Sequence, residues 1–131
     1  MEEIKITIPL PPRTKKNHQQ IKKNYQTNKQ YIGQSDTYTQ YERDCIWFIP
    51  GAVRKRIRVP VNVKALFYMD SEKKVDLTNL NSALHDILVA AGVLYDDSSL
   101  NPCIVSGTDG SRVYVDKKNP RTEVTITFMT D

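Results

Sequence analysis

Leu77, Leu80, Leu84, Ile87, Leu88 and Ala91 recur at the three-and-four spacing of an α-helix, between Asp76 on one side and Gly92 on the other. This is the segment that most restricts the fold. Apolar residues at that period form one stripe that must be covered by another element. Glycine just past the last turn suits the left-handed backbone that ends many helices. Immediately upstream, Val61, Val63, Ala65, Phe67 and Met69 alternate with Asn62, Lys64, Leu66 and Tyr68. That is the period of a strand. Near its end both faces are apolar, which predicts a largely buried strand. A strand followed by an amphipathic helix predicts a shared core.

The flanks extend the pattern. Ile4, Ile6, Ile8 and Leu10 alternate as a strand that Pro11 and Pro12 stop. Residues 13–34 are polar, basic and weakly periodic. They read as one long loop, with a short strand near Gln30–Ile32 as the exception, and a loop of that length is usually functional or disordered until bound. Ser35 or Asp36 can cap a helix carrying Tyr38, Tyr41, Cys45 and Phe48, which Pro50-Gly51 ends. A strand is expected near Cys103–Val105. Asp109-Gly110 signals a turn beyond which Arg112–Val115 can pair. Val124, Ile126 and Phe128 mark a last strand. The fold class that follows is α+β: a mixed sheet with two main helices packed on it, on one face, in a single domain spanning residues 1–131.

Charge narrows the chemistry. The net charge is +4, but its distribution says more. Arg13, Lys15, Lys16, Lys22, Lys23 and Lys29 occur in a stretch with no acid. Arg54–Arg58, the Lys73-Lys74 pair and Lys117, Lys118 and Arg121 are further clusters. Four such groups favour a phosphate-rich partner over four unrelated solvated loops. Tyr25 and Tyr31, among the first group, either stack on bases or simply pack. No apolar run approaches the roughly 20 residues of a bilayer span, and Met1–Ile4 enters a strand rather than a signal peptide. Neither a membrane partner nor a small-molecule cofactor is expected, and the expected location is cytoplasmic. Cys45 and Cys103 read as small buried hydrophobes. His18 and His85 make no zinc motif.

Against this basic background, Asp76 precedes the helix and Asp96-Asp97 follow it. Each has a plain structural role to hand, Asp76 as a helix cap and Asp96-Asp97-Ser98-Ser99 as a turn. Together they suit something else. A chain that turns back after Gly92 can return Asp97 towards Asp76. Mg²⁺ is commonly held by one or two carboxylates together with water and substrate phosphate. Carboxylates repel DNA unless a cation intervenes, so a pair of them in a positive surround points to metal-assisted phosphodiester hydrolysis. Asp70 is either a further ligand or a surface turn. Asp86, nearly three helical turns past Asp76, either faces solvent or holds a basic loop.

The run Asp76-Leu77-Thr78-Asn79-Leu80, the helix with Asp86, Gly92-Val93-Leu94-Tyr95-Asp96-Asp97, and the opening Ile6-Thr7-Ile8-Pro9-Leu10-Pro11-Pro12 resemble the RusA family of Holliday junction resolvases. The resemblance runs from about residue 4 to 128 and is strongest from 75 to 97. It implies a homodimeric endonuclease of phage or prophage type, working in DNA recombination and repair in a bacterial or phage-infected host. Such an enzyme cuts four-way DNA junctions with Mg²⁺, for which Mn²⁺ can substitute. By the same resemblance Asp76, Asp97 and Asn79 are catalytic, and Asp76, Asp97 and Asp96 hold the metal. Arg13, Lys15, Lys16, Lys22, Lys23, Lys73 and Lys74 are the expected DNA contacts. Two positions depart from the family pattern. Thr78 stands where the family usually has a second catalytic Asp, and Ser82 where some members have a lysine. A DNA-binding protein without cleavage is the alternative those departures leave.

Overall fold

The computed structural model describes residues 3–15, 19–34, 36–95 and 104–129. Three strands carry the centre: β1 (Glu3–Ile8), β4 (Val61–Met69) and β7 (Arg121–Phe128), with β7 in the middle and antiparallel to both neighbours. The alternation read from the sequence sets which face is covered. Ile4, Ile6 and Ile8 of β1, Val61, Val63, Ala65, Phe67 and Met69 of β4, and Val124 and Ile126 of β7 are all buried. The intervening residues lie on the other face. There Leu66 and Tyr68 are only half-buried, so the end of β4 is less enclosed than its composition predicts. Tyr68 stacks on Tyr114, with the Arg121 guanidinium 3.8 Å from the Tyr68 ring centre.

Both helices contribute to that one buried cluster. Helix α1 (Asp36–Phe48) supplies Cys45, with Ile49 just beyond its end. Helix α2 (Leu77–Ala90) supplies Leu80, Leu84, Ile87 and Leu88. Burial raises the Cys45 thiol to about 12, so it packs as a neutral side chain. Cys103 lies outside the described residues. Gly92 ends α2 with φ +80°, and the Val93 and Leu94 amides both donate to the Leu88 carbonyl. The chain then runs beside Ile57, whose carbonyl accepts from the Tyr95 amide at 3.0 Å.

Two sequence expectations change. Residues 13–34 are not one long loop: β2 (Gln19–Asn24) and β3 (Lys29–Gln34) form an antiparallel ribbon of their own. Asn24 Oδ1 accepts from the Gln26 and Thr27 amides, and Asn28 closes the turn at φ 56°. Asn tolerates that region better than most residues. Second, β6 (Arg112–Val115) does not form a hairpin across the Asp109-Gly110 turn. Strands β5 (Val105–Gly107) and β6 both run parallel to β4 on its second edge, β5 beside Val61–Asn62 and β6 beside Leu66–Met69. The Asn62 side chain fixes the link between them, accepting from the Asp109 amide at 2.8 Å and donating to its carbonyl.

Phe67 is 1% exposed and sits at the middle of this core. Replacing it with alanine is expected to cost about 3–5 kcal/mol of stability, read as the shift in urea midpoint at constant slope.

Candidate active site

The sheet and α2 meet at one end of the molecule. Strand β4 runs out at Met69, residues 70–75 turn, and α2 starts at once. Strand β1 points the same way, since Ile8 pairs with Thr122 while Phe67 does so from the other side. Residues 9–15 therefore leave the sheet beside residues 70–76.

Asp76 is the N-cap of α2. Its backbone is extended (φ −96°, ψ 122°) and Oδ1 accepts from the Thr78 amide at 2.8 Å. The cap role and an open carboxylate coexist: the residue is exposed, and among the described residues its second oxygen has no protein partner. Thr78 is exposed and Asn79 half-buried on the next turn. Asn79 shares a helix face with Asp86 two turns on. Asp76, Thr78 and Asn79 offer a carboxylate, a hydroxyl and an amide oxygen. All are hard donors of the type Mg²⁺ takes.

Asp96 and Asp97 lie outside the described residues. Among the described residues, no group of three or more His, Cys, Asp or Glu forms a metal cluster. The 14 residues of α2 span about 21 Å, and Tyr95 leaves from the end opposite Asp76.

Two of the expected DNA contacts are held by acids of the same chain. The Arg13 guanidinium grips Asp70 with two bonds, 3.2 Å to Oδ1 and 3.1 Å to Oδ2, and donates to the Pro12 carbonyl at 3.0 Å. Lys15 Nζ lies 2.6 Å from Asp86 Oδ2. Asp86 thus holds a basic loop, one of the two roles open to it, and Asp70 is an ion-pair partner at a turn. Lys73 and Lys74 are exposed, as is Lys23, whose Nζ lies 5.8 Å from the Tyr25 ring centre. Lys22 lies on β2, and Lys16 falls outside the described residues.

Sequence reasoning missed two polar residues in this region. Thr14 is 2% exposed and Asn81 8% exposed, and neither Thr14 Oγ1 nor Asn81 Oδ1 has a hydrogen-bond partner among the described residues. Asn81 interrupts the series Leu77, Leu84, Leu88 at i+4, so a signal was present: an amide on an apolar stripe. Thr14 gave none, because its burial depends on how residues 12–15 fold against the turn after β4.

The family model for the RusA endodeoxyribonucleases matches residues 9–127, and the chain belongs to that family. Members of this family are endodeoxyribonucleases that resolve Holliday junctions. A comparison with curated proteins found none that matches the chain. Among the described residues, no helix is long and apolar enough to cross a membrane.

The Arg13 guanidinium beside Asp70 holds its carboxyl below the usual range, mainly by hydrogen bonding and further by charge. A folded-state value below the unfolded one stabilises at pH above the unfolded value, about 3.9, and that contribution is lost as pH falls through the folded value. Asp70→Asn is therefore expected to lower the urea midpoint at pH 6, with the gap from the parent closing towards pH 3. The cap role of Asp76 has its own test. Asp76→Ala should cost about 1 kcal/mol in the same assay, and Asp76→Asn much less, because Asn caps as well as Asp.

Proposed function

We propose that the chain is a Mg²⁺-dependent, structure-selective endonuclease that cuts four-way DNA junctions in recombination and repair, acting as a homodimer. Mn²⁺ would serve in place of Mg²⁺. The observation that carries this reading is the placement of Asp76. Its carboxylate is exposed at the carboxyl end of β4, on the first turn of a helix, with Lys73 and Lys74 just before it. Ligand sites of sheet proteins with helical crossovers favour that end of the strands.

Asp76, Asp97 and Asp96 would hold the ion. When bound, Mg²⁺ supplies charge neutralisation at the phosphodiester and a more acidic water. The chain's own residues do the positioning. Asn79, one turn into α2, can orient a phosphodiester oxygen or water through its amide. Lys73 and Lys74 offset the repulsion between Asp76 and the DNA. Lys23 on the β2–β3 ribbon extends the positive surface, and Lys16 and Lys22 would add further DNA contacts. A two-stranded ribbon is narrow enough to enter a major groove. Lys15 reaches a phosphate only by sharing its ammonium with Asp86, and Arg13 with the donors that Asp70 leaves free. A homodimer suits a two-fold symmetric junction, since each copy can cut one of two like strands.

Thr78 and Ser82 favour a second reading, a branched-DNA-binding protein with little cleavage. A hydroxyl is a weaker ligand for Mg²⁺ than a carboxylate, and Ser82 removes a cation that could stabilise the transition state.

A labelled four-way junction incubated with and without Mg²⁺ separates the two. Paired nicks are expected only with the metal, and should fall to background in Asp76→Asn and in Asp97→Asn while salt-sensitive binding persists. Tight binding with no product in Mg²⁺ or Mn²⁺ would instead establish the binder.

A further inference from the structure

We propose that the cleft between Pro12–Thr14 and Met69–Val75 is a seat for one backbone phosphate of the DNA, adjoining Asp76. The proposal deepens the reading above and rests on DNA being the ligand. It does not require that the chain cleave it.

The cleft encloses about 290 Å³ and ends at Val75, the residue before Asp76. That volume is at the small end of sites for organic ligands. Its polar lining is Arg13, Thr14, Asp70, Ser71, Lys73 and Lys74. Asp70 is the one carboxylate there, and the two-bonded Arg13 guanidinium neutralises it. The two lysines then leave the cleft positive.

The donors suit an oxyanion. Thr14 is 2% exposed, and its hydroxyl has no hydrogen-bond partner among the described residues. A buried hydroxyl without a partner is costly, and a turn of the Thr14 side chain towards the cleft would let a ligand oxygen accept from it. Arg13 has five N–H donors. Its known bonds, two from Nη1 and one from Nη2, leave Nε and a second Nη2 hydrogen available among the described contacts. The Ser71 hydroxyl accepts weakly, at 3.4 Å, from the Lys73 amide and keeps its own hydrogen to donate. Ion pairing to Lys73 and Lys74, with neutral donors from Thr14 and Ser71 and a fixed guanidinium edge, is how proteins seize a phosphate.

The seat has a purpose beside Asp76. A carboxylate repels a nucleic-acid strand, and an attractive site next to it in sequence fixes where that strand lies. The phosphodiester next along the strand then faces Asp76 and the first turn of α2.

The test is a ¹H–¹⁵N titration of the full chain with inorganic phosphate at pH 7, against sodium chloride of matched ionic strength. Saturable shifts are expected at the amides of Arg13, Thr14, Ser71 and Lys73–Val75, with chloride giving none. Affinity should fall about tenfold in Lys73→Gln/Lys74→Gln. In Thr14→Val, which conserves shape, it should fall about threefold to tenfold. Retained amide dispersion shows that each variant folds. Shifts spread equally over Lys23 and Arg54–Arg58, or a cleft response unchanged in both variants, would overturn the proposal. Saturation at the cleft in a protein that never nicks a junction would remove the nuclease reading and leave this one standing. Nicking by a protein whose cleft ignores phosphate would do the reverse.

Discussion

Two strands on the second edge of β4 run parallel to it, and parallel neighbours cannot be joined by a tight turn. A crossover has to carry the chain from the carboxyl end of β4 back to its start, where β5 begins. Helix α2 is that crossover. Its apolar stripe, led by Leu80, Leu84, Ile87 and Leu88, lies on the face of the sheet that Val63, Ala65 and Phe67 already make apolar. The position of Asp76 follows from this. A helix that crosses from the end of β4 must start there, and its first free amides need a cap. The carboxylate that caps them is exposed because the turn from 70 to 76 lies at the rim of the sheet.

Around that rim, charge is arranged by pairing as much as by number. Arg13 and Lys15 are written into the sequence as part of a basic run, yet each is tied to an acid, Asp70 and Asp86, more than fifty residues away in the chain. These are partly exposed pairs, each worth little to stability. Their effect is on shape. They lay residues 12–15 across the turn after β4 and along α2, which builds one wall of the cleft next to Asp76 and buries Thr14.

Much of the fold was legible in the sequence for a simple physical reason. β1, β4, β7 and the two helices each bury one face in a common core, and burying a face writes a period into the chain. Residues 19–34, which form the ribbon β2–β3, carry no apolar period in the sequence and so read as loop. The turn residues Asn24 and Asn28 were its one local signal. The pairing of β5 and β6 was hidden for another reason. Three- and four-residue strands take their register from β4, forty-odd residues away, and not from their own sequence. At the site, the cap role of Asp76 was legible, and the structure shows one oxygen capping the helix while the other has no partner among the described residues. The Arg13–Asp70 bond was not legible, because composition counts charges and cannot tell which are already matched.

The ribbon has a consequence of its own. It pairs with itself, outside the sheet that forms the core, and enters and leaves between β1 and α1. Its length, charge and tip residues can change without disturbing the register of β1 on β7 or the start of α1. Selection can therefore act on this arm separately from the rim around Asp76. Such a chain can change the surface of its arm while the residues around Asp76 stay as they are.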